Sequence, residues 1–312
     1  MKKPKLQSFV NPKKRKKDLP WQYPKSLKED PKAHSQIEKI LDSPGYIIAE
    51  KDTLFLQEHA TLGIRLELDY QKAELLLQKH GVEHTIVVFG SARAVEHKTA
   101  MHKLELAQKA LMKSPGSSKK MHALKLTEKV LDISQYYNIA RQFGQLVGAC
   151  GRGPTDSRIT LMTGGGPGIM EAANRGAFDV GSKSIGLNIS LPNEQFPNPY
   201  ITPELCFKFH YFAIRKLHFL LRAKALVFFP GGFGTMDELF GVLTLIQTRK
   251  IDPIPIVLVG QEYWERLIDI NFMEDESMIT SEDRSLFWYA QSAEEIWEGL
   301  ITWHETNKTP LF

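Results

Sequence analysis

The stretch Leu161-Met-Thr-Gly-Gly-Gly-Pro-Gly-Ile-Met-Glu171 sets the fold. An apolar run ending at Thr163 reads as a strand buried on both faces, the glycines after it as a tight turn, and Ile169 to Gly176 as a helix. The same order returns in Leu226-Val-Phe-Phe229, Pro230-Gly-Gly-Phe-Gly-Thr235 and a helix from Met236 to Thr248. Upstream, Thr85-Ile-Val-Val-Phe89 runs into Gly90-Ser-Ala-Arg93 in the same manner. Further strand-like runs are Arg158 to Thr163, Ser184 to Ile189, Cys206 to Phe209, Ala225 to Phe229, Ile254 to Val259 and Phe287 to Ala290, with helical stretches between. Buried strands alternating with helices predict an α/β fold: a Rossmann-like, doubly wound, mainly parallel sheet with right-handed crossovers.

Two additions are expected on that core. Asp52 to about His80 is leucine-rich and charged, reads as one or two helices, and is closed by Gly81. Helical stretches around 97–113 and 121–149, parted by the breaker-rich Ser114 to Lys120, predict an inserted helical hairpin at about 95–125. The expected division is a basic, flexible arm over 1–45, a helical segment over 46–80 and the Rossmann-like domain over 81–312.

The composition of the 312 residues, 42% hydrophobic and 24% charged, excludes a collagen-like or wholly disordered chain. Two cysteines, Cys150 and Cys206, exclude a disulfide framework and point to a reducing, cytoplasmic setting. No apolar run approaches the roughly 20 residues of a membrane helix, so no membrane contact is expected. The formal charge of +4 is uneven: residues 1–20 hold eight Lys/Arg against one Asp, or +7, which leaves −3 for the rest. Lys13 to Lys17 reads first as a solvated terminus, with contact to RNA or another polyanion as the alternative.

In a parallel sheet both glycine loops fall at the carboxyl edge of the strands, where free N–H groups at a helix start favour a phosphate. Neither loop is a standard one. The first lacks the Lys-Ser/Thr ending of a P-loop, Ile169 stands where a dinucleotide fingerprint has its last glycine, and Ser184 to Ile189 lacks an acidic residue for a ribose. A nucleoside monophosphate therefore fits better than a dinucleotide. Glu238 has two readings: Thr235-Met-Asp-Glu238 matches a capping box, or the carboxylate faces a ligand, where it would orient water or stabilise positive charge at C1′. Arg215 and Lys216, in an apolar helix, either snorkel to the surface or clamp a phosphate. His210 and His218 lack metal-ligand spacing and read as structural or as supports behind the groups of a site, and the reading calls for no metal and no cofactor.

Together, Gly164-Gly-Gly-Pro-Gly-Ile-Met-Glu171, Arg215-Lys216 and Pro230-Gly-Gly-Phe-Gly-Thr-Met-Asp-Glu238 resemble the LONELY GUY (LOG) family of nucleoside 5′-monophosphate phosphoribohydrolases. Chains with this motif also carry the label lysine decarboxylase. The resemblance spans roughly Thr85 to Tyr263, and Phe212-Ala213-Ile214 before the Arg-Lys pair is similar to a longer subgroup. It implies a homodimeric, cofactor-free hydrolase that splits AMP or cytokinin riboside monophosphates into base and ribose 5-phosphate. On that resemblance Arg215 and Glu238 are the catalytic pair. Ser91, Gly164, Gly165, Gly166, Gly168, Met170, Glu194, Lys216, Gly231, Gly232, Phe233, Gly234, Thr235, Met236, Asp237 and Thr244 contact substrate. The rival reading is a non-catalytic nucleotide or molybdenum-cofactor carrier or sensor.

Overall fold

A computed structural model describes residues 16–153, 155–192 and 196–311. The chain divides into two units, Met1–Arg65 and Leu66–Phe312.

In the first unit the described residues form α1 (Ala33–Leu41), α2 (Thr53–Gln57) and short single-turn helices. Asp52 caps α2 by accepting from the N–H groups of Leu54 and Phe55 at 3.1 and 3.0 Å. Arg65 Nη1 donates to the Leu56 and Glu58 carbonyls at 2.6 and 3.0 Å. Most of the basic run Lys13 to Lys17 lies outside the described residues; Lys16 and Lys17 are exposed.

The next helix is α3 (Leu62–Lys79), and Gly81, at φ +71°, turns the chain after it. There follow β1 (His84–Phe89), α4 (His97–Met112), α5 (Ser118–Ala149), β2 (Ile159–Thr163), α6 (Ile169–Asp179), β3 (Ser184–Ile189) and β4 (Cys206–Phe209). The chain then continues through α7 (Phe212–Leu221), β5 (Ala223–Phe228), α8 (Phe233–Gln247), β6 (Ile256–Val259), α9 (Gln261–Leu267), α10 (Ile270–Asp275), α11 (Ser281–Arg284), β7 (Trp288–Ala290) and α12 (Ala293–Thr306).

The seven strands form one sheet in the order β4-β3-β2-β1-β5-β6-β7, and every pairing is parallel. This is the Rossmann-like α/β fold read from the sequence, and the strand runs fall where expected. Alternation along each strand feeds two cores. Ile86, Val88, Leu161, Val227 and Val257 pack with side chains of α5, α6 and α12 on one face. Val87, Phe89, Met162, Leu187, Phe228 and Leu258 pack with Ala73 and Leu77 of α3, Phe219 of α7, Leu239 of α8 and Trp264 of α9 on the other.

Helices α5 and α6 cross closely because Gly144 and Gly176 lack side chains. A Cβ on Gly144 would strike the Ala173 carbonyl, and one on Gly176 the Arg141 carbonyl. The buried residues of α5 run from Ser134 to Gly148, so its C-terminal half is the crossover helix from β1 to β2. Its N-terminal half pairs with α4, where Ala100 alone is buried.

The winding sets the site. From β1 the chain steps outward through β2, β3 and β4, then crosses back to place β5 on the opposite flank of β1 and proceeds to β6 and β7. The loops after β1 and β5 therefore diverge, and the crevice between them is where such sheets bind ligands.

Candidate active site

Three loops meet at that crevice. The Ser91 N–H donates to the Pro230 carbonyl at 3.0 Å, and the Ser91 carbonyl accepts from the Ile169 N–H at 3.1 Å. The turn after β1 is thus bonded to both glycine loops. Gly168, at φ +78°, caps α6, and a side chain there would run into the Ser91 carbonyl. The second loop is held from behind by Tyr263, whose hydroxyl donates to the Gly231 carbonyl at 2.5 Å.

Between these loops lies a cleft of about 320 Å³. Its walls are the turn after β1 with Phe89, Ser91 and Arg93, the first glycine loop with Gly164 and Met170, Arg215 and Phe219 of α7, and Gly232, Gly234, Thr235 and Glu238 of the second loop and α8.

Arg215 is largely buried. Its guanidinium lies over the Phe212 ring at 4.9 Å and the Phe219 ring at 5.6 Å, its Nε has no hydrogen-bond partner, and no carboxylate among the described residues pairs with it. Burial lowers its pKa, while Glu238 and Asp237 oppose that shift. A guanidinium stays charged in a protein, so the cleft holds a cation that no carboxylate pairs with directly. Glu238 is 8% exposed. Burial pushes its carboxyl up to about 7, against the pull of Lys216 and Arg215. Near neutral pH the group is therefore divided between acid and carboxylate.

The helix start corrects one reading. α8 begins at Phe233 with Gly232 as its N-cap, so Thr235 lies inside the first turn and Thr235-Met-Asp-Glu238 is not a capping box. Phe233 and Gly234 hold the first two helical positions, where N–H groups have no partner within the helix.

The remaining predicted residues divide. Lys216 turns to Asp237, at 2.8 Å from the carboxylate and 3.1 Å from its carbonyl, and stands 3.9 Å from Glu238. Gly165 and Gly166 belong to the first loop but are not part of the cleft wall, Met236 packs into the core, and Phe233, 96% exposed, sits at the start of α8 beside the cleft. Thr244 lies more than two turns beyond Thr235; its hydroxyl bonds to the Phe240 carbonyl, and it lines a separate hollow with Ile270 and Phe287. Glu194 falls outside the described residues. The structure adds Arg93 and Phe219, which the sequence reading did not select. Phe219 stands four residues after Arg215 on the same helix face, and Arg93 follows the strand beside the switch point, a position that signals it in such sheets.

His218 is structural, as read: it is buried against Tyr70 and Phe209, with Nε2 at 3.2 Å from the Tyr70 carbonyl. Among the described residues no group of three or more His, Cys, Asp or Glu is placed to hold a metal ion, and no helix is long and apolar enough to cross a membrane.

The profile of a family described as "possible lysine decarboxylase" matches residues 170–300. The match runs from α6 into α12, takes in the Arg-Lys helix and the second glycine loop, and agrees with the label carried by chains that share this motif. The X-ray structure of TM1055, a Northeast Structural Genomics Consortium target, is similar at 19% identity and a TM-score of 0.42, over 70% of this chain and 99% of that one. No curated protein sequence matches.

Proposed function

We propose that the protein hydrolyses the N-glycosidic bond of a purine nucleoside 5′-monophosphate, AMP first among them, to free base and ribose 5-phosphate. The observation that carries this is the meeting of a partly buried Arg215 that has no paired carboxylate with a buried carboxyl poised near neutrality, in one cleft at two helix starts. An anionic ligand supplies what Arg215 lacks, and the phosphate monoester is the group that bidentate guanidinium and helix N–H donors suit. Phe89, Phe219 and Met170 give the cleft an apolar wall for a base.

Ionised Glu238 orients the attacking water and stabilises an oxocarbenium-like sugar as the bond to the base breaks. The decarboxylase label of the family fits less well. No lysine lines the described cleft, and the nearby Lys216 is tied to Asp237. A homodimer is part of the proposal, with exposed Phe212, Leu217, Leu221 and Phe240 on α7 and α8 as its apolar surface.

Incubation with AMP and other monophosphates, followed by chromatography of base and ribose 5-phosphate, tests the reaction. Release that disappears in Glu238→Gln supports it; no release from any monophosphate refutes it, and saturable binding without turnover points to the carrier reading. Light scattering on the purified chain tests the dimer.

A further inference from the structure

Behind the first glycine loop lies a buried cluster of polar side chains that the proposed chemistry does not use. Asn174 of α6 is fully buried, Thr163 at the end of β2 is fully buried, and Asn198, between β3 and β4, is 6% exposed. The Thr163 hydroxyl donates to Asn174 Oδ1 at 2.7 Å and accepts from the Gly165 N–H at 3.0 Å. Asn174 Nδ2 donates to the Ile185 carbonyl at 3.3 Å. Asn198 Nδ2 donates to Asn174 Oδ1 at 3.0 Å and to the Gly166 carbonyl at 3.1 Å. The Asn198 N–H donates to the Gly165 carbonyl at 2.9 Å, and Asn198 Oδ1 accepts from the Tyr200 N–H at 3.2 Å. Both amide hydrogens of Asn198 and its oxygen are therefore committed, which fixes the orientation of the amide.

These bonds act on the loop's peptides. Two successive carbonyls, of Gly165 and Gly166, are held inward by Asn198. In a trans peptide the N–H lies opposite the C=O, so the Gly166 N–H is turned away from the buried amides. Gly165 has a φ of +73°, and a side chain there would also strike the Asn188 amide, so the position calls for glycine on both counts. With the carbonyls pinned, no oxygen of these peptides is free to swing toward a bound anion.

We infer that Asn198 is a positioning residue, which with Thr163 clamps the first glycine loop in its phosphate-receiving form. The inference rests on the reading of the cleft as a phosphate site, and needs no turnover to be tested. Asn198→Asp is nearly isosteric but removes both side-chain donors. Thr163→Val, also nearly isosteric, removes the hydroxyl from the other side of the cluster and serves if the first variant fails to fold.

Calorimetric titration of each folded variant with ribose 5-phosphate and with adenine separates the outcomes. The expected result is a loss of about tenfold or more for ribose 5-phosphate, the scale of one charge-assisted hydrogen bond, with adenine changed less than about twofold. Unchanged affinity for ribose 5-phosphate in both variants overturns the inference, as does an equal loss for both ligands, which marks general loosening. A wild-type protein that binds adenine but not ribose 5-phosphate overturns the phosphate site and the clamp together. If it binds ribose 5-phosphate yet hydrolyses no nucleotide, the hydrolase reading fails while the variants still decide the clamp.

Discussion

Replacing Glu238 by glutamine should make the protein more stable and inactive, and the pH dependence of the gain identifies its cause. The carboxyl has an ordinary value of 4.5 and is raised by burial to about 7. Between these values the folded chain keeps a proton that the unfolded chain has released. Unfolding free energy therefore falls as pH rises through this window and stays reduced above it. The gap, at about 1.4 kcal/mol per pH unit, amounts to about 3 kcal/mol at full ionisation. Glutamine has nearly the same shape and no charge to bury. Urea unfolding of both proteins from pH 5 to 9 should give a stability difference that is small at pH 5, grows through pH 7, and levels at about 3 kcal/mol in favour of the variant. The same variant should lose at least about a hundredfold in turnover, the lower end for a positioned acid or base. A difference that is constant across pH, or that grows toward acid, would refute the assignment of a strained, ionisable Glu238.

Other substitutions probe the parts around it. Arg215→Met should weaken ribose 5-phosphate by about ten- to a hundredfold in calorimetry, without lowering the unfolding midpoint, because the partly buried cation has no paired carboxylate to lose and methionine keeps an apolar contact with Phe212 and Phe219. Tyr263→Phe leaves the Gly231 carbonyl without its hydroxyl donor and should cost about 1–3 kcal/mol in denaturant unfolding, with a raised KM for AMP. Gly176→Ala drives a methyl into the Arg141 carbonyl where α5 crosses α6, and should cost more than about 3 kcal/mol or prevent folding, as read by circular dichroism. In the wild type, kcat/KM should rise with pH through about 7 as Glu238 ionises, and a profile flat across neutrality would count against its role.

Strands were legible because burial on both faces leaves an unbroken mark. Residues such as Val87 and Val88 point to opposite cores yet are both apolar, so the run stands out without knowledge of its neighbours. Glycine loops were legible for a related reason, since Gly168 answers a local demand of backbone conformation. The start of α8 was not, because Phe233-Gly234 looks like loop and only the cap at Gly232 reveals the helix. Asn198 was not legible as a site residue, because it reaches the loop from the connection after the neighbouring strand β3, and Arg93 was marked only by its place after β1. Lys216 shows the opposite case. Its place beside Arg215 suggested a second phosphate cation, whereas only the tertiary structure sets Asp237 at 2.8 Å from its ammonium.

On the proposed function, that ion pair bears on how a chain whose residues after the first twenty sum to −3 would attract an anion. With Lys216 engaged by Asp237, the cleft's remaining wall charges near the chemistry are Arg215 and a half-ionised Glu238, with Arg93 exposed at the edge. Net charge therefore gives almost no driving force, and long-range steering would be screened beyond about 8–10 Å in any case. What remains is oriented and short-ranged: the free N–H groups of two helix starts and a guanidinium fixed between two aromatic rings. Such donors are already aligned before a ligand arrives, so their orientation need not be purchased from binding energy. On the proposed function, the elements that hold them, Asn198 and Thr163 behind one loop and Tyr263 behind the other, are therefore as much a part of anion recognition as the groups that face the cleft.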